Sequence, residues 1–152
     1  MAATMDAPPV QYVKTSDSYD IAYAVCGEGP PLVLAPGPVD HLGLVWRIPR
    51  RREVLEQLAA RFRVVRYDGR GQGLSMRGLR GRLVLEDWAL DLEAVVEANQ
   101  LDHFVLVHGG STAHSSVYYA VEHPERVDAL ILENMPLARQ NTVPAALDGG
   151  CS

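Results

Sequence analysis

Phe104-Val105-Leu106-Val107-His108-Gly109-Gly110-Ser111-Thr112-Ala113 is the stretch that decides the fold. Its first four residues form an apolar run of strand length. Two glycines then break the run, and a helix is expected from the turn to about Glu122, where Pro124 marks its end. Val127 to Leu132 is the next apolar run. A strand, a glycine turn, a helix and a second strand make a βαβ unit, which calls for a parallel sheet.

The same alternation extends upstream. Leu85 to Ala98 is the clearest helix, with Leu85, Trp88, Leu92, Val95 and Val96 on one stripe and Glu86, Asp87, Asp91 and Glu93 mostly off it. Arg63 to Tyr67 reads as a strand, followed by the glycine-rich loop Asp68-Gly69-Arg70-Gly71-Gln72-Gly73-Leu74-Ser75. Arg51 to Arg61 has helical spacing, with Val54, Leu55 and Leu58 on one face. Leu32 to Ala35 is a short apolar strand stopped by Pro36-Gly37-Pro38. Val10 to Val13 and Ile21 to Val25 alternate around the polar turn Thr15 to Ser18, a hairpin signal. The predicted architecture is α/β: an N-terminal β-hairpin plus a mostly parallel sheet flanked by three or four helices. In such sheets, binding and chemistry sit beyond the carboxyl ends of the strands. The loops Pro36–His41, Asp68–Ser75 and His108–Ser111 therefore carry the candidate site.

Composition narrows the functional classes. The chain has 152 residues, 14 Lys and Arg against 19 Asp and Glu, and a net charge of −5. This argues against a nucleic-acid or anionic-membrane surface. The one basic cluster, Arg47 to Arg52, reads as a solvated helix start. Cys26 and Cys151 are far apart and in no metal-ligand spacing, so neither a disulfide scaffold nor a metal site is expected. The N-terminus MAATMDAPPV lacks the features of a signal peptide, and a cytoplasmic location is expected. Residues 1–9 read as a flexible leader, 10–134 as one domain and 135–152 as a tail.

Several motifs together resemble the α/β-hydrolase family. Tyr67-Asp68-Gly69-Arg70-Gly71-Gln72-Gly73-Leu74-Ser75 is similar to its D-x-R-G-x-G-x-S segment. Leu101-Asp102 through Val107, the following turn and helix, and His123-Pro124-Glu125-Arg126-Val127 resemble its elbow region. Ala35-Pro36-Gly37 stands where the family carries the His-Gly of its oxyanion loop. Tyr12 to Asp17 and Ile21 to Ala24 resemble its first hairpin. The Pro-Gly variant and Asp40-His41-Leu42 are reminiscent of hydrolase-like domains joined to adenylate cyclases or transcriptional regulators. The resemblance covers roughly residues 10 to 134 and implies a hydrolase of esters or similar acyl compounds, without a cofactor.

The family's elbow is G-x-S-x-G, and two registers can be laid on it. Counting from both flanks puts Gly110 at the nucleophile position, with His108 and Thr112 where the motif glycines stand. Reading Gly109 to Ala113 as G-x-S-x-A makes Ser111 the nucleophile, at the cost of a one-residue shift on each flank. Otherwise Ser111 is a helix N-cap or first-turn residue. The resemblance places the two oxyanion-hole donors at Ser111 and Pro38, and proline has no N–H to give. The family's acid and histidine follow later strands, none of which is read after Leu132. The resemblance thus implies a truncated hydrolase fold without a working triad. The alternative to a hydrolase is an inactive remnant or a ligand-binding or interaction domain.

Other chemistry is weaker. A dinucleotide loop would need glycine at Met76. His41, His108 and Asp40 follow neighbouring strands and could meet at the sheet's top, without metal-like spacing. Asp68 and Arg70 are expected to pair or cap locally, and His114, one helical turn from Ser111, to make a capping or solvent contact. The expected partners are a small-molecule ligand and a second copy of the chain, paired through the apolar edge strand Val127 to Leu132.

Overall fold

The computed structural model describes residues 5–135. The expected leader residues 1–4 and tail residues 136–152, Cys151 included, lie outside the described residues. Six strands form one sheet in the order β1-β2-β4-β3-β5-β6. They are β1 (Gln11–Lys14), β2 (Asp20–Cys26), β3 (Pro31–Ala35), β4 (Arg63–Tyr67), β5 (Phe104–Gly109) and β6 (Val127–Glu133). β1 and β2 form the hairpin, and β2 joins β4 antiparallel. The β4–β3, β3–β5 and β5–β6 pairs are all parallel. The expected α/β sheet is therefore present, with its antiparallel strands at one edge.

Four helices connect these strands: α1 (Leu42–Val45), α2 (Pro49–Ala59), α3 (Leu85–Ala98) and α4 (His114–Glu122). α3 and α4 cover one face, where Leu92, Val95 and Val96 pack with Val65, Phe104, Leu106 and Tyr119. Full burial of each such side chain contributes roughly 1.5–3 kcal/mol, so this layer is the main core. α2 covers the other face near β3 and β4, where Ala59 packs with Leu32 and Val64. That face is less covered toward β6, where Ile131 is 48% exposed. β6 is the sheet's edge strand among the described residues.

The basic cluster Arg47 to Arg52 does run into a helix start, with Pro49 in its first turn. Its end, however, is engaged: Arg52 pairs with Glu56 at 3.0 Å and also binds the Met5 carbonyl. The Met5 N–H donates to Glu56 at 2.9 Å, so the first described residue of the leader is held against α2.

Asp91 corrects the reading of α3. The sequence sets it among acids mostly off the apolar stripe, yet it is fully buried. Its Oδ2 accepts from the Arg70 backbone N–H at 2.9 Å, and its Oδ1 from Arg70 Nε at 2.8 Å. The far end of the same guanidinium donates to Asp17 at 2.6 and 3.1 Å and lies 4.4 Å from the centre of the Tyr19 ring. Arg70 thus pins the glycine-rich loop to α3 and to the hairpin turn. It does not pair with Asp68, which instead caps two backbone N–H groups, those of Leu42 (2.9 Å) and Leu74 (2.8 Å). Gly73, at φ +49°, makes room for this, because a Cβ there would lie 2.0 Å from Asp68 Oδ2.

Removing one member of a buried ion pair leaves an uncompensated charge. Arg70→Leu is therefore expected to lower stability by about 3–5 kcal/mol in urea denaturation. Adding Asp91→Leu should restore part of that loss. Simple additivity of the two substitutions would contradict the pairing.

Candidate functional site

The site lies where neighbouring strands send their helices to opposite faces. β3 leads to α2 on one face, and β5 leads to α4 on the other. Ala35 and His108 are paired in register, so the loops that follow them part at this point and leave a crevice. A cleft of about 640 Å³ opens there, between the Pro36–His41 loop, α2 and the turn after β5.

Gly110 forms that turn. Its φ is +82°, a backbone conformation that L-residues rarely adopt. Its N–H donates to the Glu133 carbonyl at 2.8 Å, fixing the turn against the end of β6. A Cβ on Gly110 would point at the Pro38 ring, 3.3 Å from Cδ. The structure therefore brings Gly110 and Pro38 together across the crevice. Ser111 follows, exposed and ahead of the helix. The cap position of α4 is Ala113, with no side-chain cap, so Ser111 is not the N-cap that its residue type suggested. His114 Nδ1 lies 3.2 Å from the Ser111 backbone carbonyl, a local contact of the expected kind.

His108 sits beneath the turn and is only 3% exposed. Its Nδ1 is 2.7 Å from Ser116 Oγ, and its Nε2 is 3.0 Å from both the Pro36 carbonyl and Thr112 Oγ1. With Nε2–H donating to Pro36 O and Nδ1 accepting from Ser116, both ring nitrogens are used. The imidazole braces the Pro36 loop against the start of α4. Burial pushes its pKa down to about 4. Burial likewise pushes the Asp91 carboxyl up to about 6, against the pull of Arg70.

The proposed meeting of His41, His108 and Asp40 does not occur. His41 turns its Nδ1 onto the N–H groups of Gly43 and Leu44 and caps α1. Asp40 accepts from the Gly37 N–H at 3.1 Å and from Arg51 at 3.2 Å. His108 faces α4. Among the described residues, no group of His, Cys, Asp and Glu could hold a metal ion.

Sequence reasoning missed Arg66. It is the fourth residue of the β4 strand Arg63-Val64-Val65-Arg66-Tyr67, only 8% exposed, and it lines the cleft. Burial lowers its pKa, partly offset by Asp40 and Asp68. The available signal was a charged residue inside an otherwise buried apolar strand.

The depressed pKa of His108 has a definite consequence for stability. The unfolded chain takes up a proton near pH 6.5, whereas the folded one resists until about pH 4. The stability linked to this ring is thus complete above pH 6.5 and is lost as the pH falls toward 4, by about 3 kcal/mol. The raised Asp91 pKa acts in the opposite sense below pH 6, so the effect is best read against a variant. The stability advantage of the wild type over His108→Gln should shrink between pH 7 and pH 4 in thermal melts. A difference independent of pH would contradict the buried, neutral ring.

Comparison with known proteins agrees with this frame. Residues 30–148 match the family model described as the alpha/beta hydrolase fold. The chain is 31% identical over 115 residues to the "Putative carbamate hydrolase RutD" of Azorhizobium caulinodans, covering 76% of this chain and 41% of that protein. The protein of the same name from Caulobacter sp. strain K31 is 31% identical over 80 residues, covering 53% of this chain and 30% of that one. A solved hydrolase from Pseudomonas aeruginosa PA01 superposes with a TM-score of 0.73 at 26% identity, covering 86% of this chain and 47% of that one. The chain thus spans less than half the length of these relatives. The strand order, the crevice beside the β5 turn and the family match over residues 30–148 together make this chain a member of the α/β-hydrolase fold family.

Proposed function

We propose that this chain uses the hydrolase frame to bind a small molecule without hydrolysing it. One observation carries the reading: Gly110, at φ +82°, occupies the turn where β5 passes into α4, the position from which the family presents its nucleophile. Glycine has no side chain with which to attack. Two further features support an inert elbow. Pro38, opposite Gly110, has no N–H to offer a developing oxyanion. His108, the histidine directly beneath the turn, has both ring nitrogens engaged by Pro36, Thr112 and Ser116. The cleft favours binding, since about 640 Å³ lies within the usual range for small-molecule sites.

The family's activity, hydrolysis of esters or similar acyl compounds, is the competing reading, with Ser111 as a displaced nucleophile. Ser111 is exposed, and the nearby His114 is directed to its backbone carbonyl rather than to its hydroxyl. That geometry supplies no general base for the oxygen.

A second copy of the chain is the partner we propose for β6. Its outer edge is free among the described residues, and Ile131 and Leu132 are exposed along it. Unpaired, apolar edge strands invite pairing.

Turnover of p-nitrophenyl butyrate should stay at the buffer background and be the same for wild type and Ser111→Ala. Turnover above background that disappears in Ser111→Ala would overturn the binding-only reading. In sedimentation velocity, the apparent mass should rise with concentration and fall back when Ile131→Lys is introduced. A concentration-independent monomer would contradict pairing through β6.

A further inference from the structure

We propose that the cleft binds the carboxylate of a small organic acid and that Arg66 is its anchor. This deepens the reading of the cleft as a ligand site and rests on it.

Arg66 carries an unmet donor. The Arg66 side chain is only 10% exposed, and its Nη1 is buried without a hydrogen-bond partner among the described residues. A buried guanidinium donor without an acceptor is costly, and native structures rarely leave one so. Its nearest counter-charge is Asp40, whose Oδ1 lies 3.7 Å from Nη2, too far for a hydrogen bond. That carboxylate is already committed, to the Gly37 N–H and to Arg51. Arg66 lines the cleft, so the guanidinium that carries the covered Nη1 borders the space an acceptor would enter.

The surroundings choose the acceptor. A guanidinium presents planar paired donors that match a carboxylate. Arg50 and Arg51 also line the cleft, against the two acids Asp40 and Glu133, giving a modest positive balance. That balance suits a monoanion better than a phosphate dianion. The rest of the wall is largely aliphatic, including Leu34, Val45, Val54, Leu55 and Val107, which suits an apolar tail. The carboxylate would sit toward β4, with the tail running along α2 and the uncovered face of β3 and β5.

Hexanoate tests this, with hexanamide as its uncharged isostere and inorganic phosphate as a bare anion. Each is titrated into the full chain while backbone amide NMR shifts are followed. Hexanoate should bind and move the amides of Gly37, Gly109 and Gly110, and hexanamide and phosphate should bind at least tenfold more weakly. Arg66→Met removes a buried charge that has only a long contact to Asp40, at 3.7 Å, and is expected to stay folded; it should weaken hexanoate at least tenfold. Arg66→Lys, which keeps the charge but not the fork, should fall between the two. The proposal is overturned if hexanoate does not bind at millimolar concentration, if hexanamide or phosphate binds as well as hexanoate, or if both Arg66 variants bind hexanoate as the wild type does. Binding is read here without turnover, so ester hydrolysis would sink the inert elbow while leaving this result standing.

Discussion

The sharp turn from β5 into α4 is the constraint around which the carboxyl edge of the sheet is arranged. The backbone must leave the sheet and enter a helix on one face, while the neighbouring strand β3 sends its chain to the other face. Gly110 meets that demand with a φ of +82°, which costs glycine little and would strain another residue by about 1–3 kcal/mol. In the family, a nucleophile at such a turn carries this strain. Here glycine takes the turn without that strain. The shape of the turn is kept by the Glu133 carbonyl on one side and by the His108 brace to Pro36 on the other.

Two buried polar groups hold the loops that frame this turn, and they do so differently. Asp68 works through backbone donors, tying the start of α1 and the end of the glycine-rich loop to β4. Arg70 works through charge, joining the loop to Asp91 on α3 and to Asp17 in the hairpin turn. Both are satisfied, so they position the loops and offer nothing to a ligand. Arg66 stands apart because its geometry is incomplete. That contrast separates the residues that build the frame from Arg66, whose buried donor has no acceptor among the described residues.

Much of this frame was legible in the sequence. Arg63–Tyr67 and Leu85–Ala98 were read with their observed bounds, because an apolar strand run and an amphipathic stripe are the strongest local signals. The four-residue helix α1 was not foreseen, since it is too short to show a period and depends on a histidine cap. The reading has α4 follow directly from the turn His108–Ser111, with Ser111 at its cap or in its first turn, but the helix starts at His114, because the turn needs several more residues to reach helical geometry. Asp91 was misplaced because its charge outweighed its spacing: it lies three residues after Trp88 and four before Val95, on the stripe itself. Its burial depends on Arg70, twenty-one residues away, a tertiary contact that no local pattern announces. The site was only partly legible for the same reason. Gly110 and Pro38 could be placed by resemblance, whereas the orientation of Arg66 toward the cleft depends on how β4 sits beneath α2.

The central claim is that the elbow has the family's shape without its nucleophile. Intact-mass spectrometry after exposure to an activated alkyl fluorophosphonate tests this most directly, because the reagent needs an activated hydroxyl and no knowledge of the substrate. The account predicts an unmodified mass for the folded protein. A single stoichiometric adduct that maps to Ser111 would contradict it.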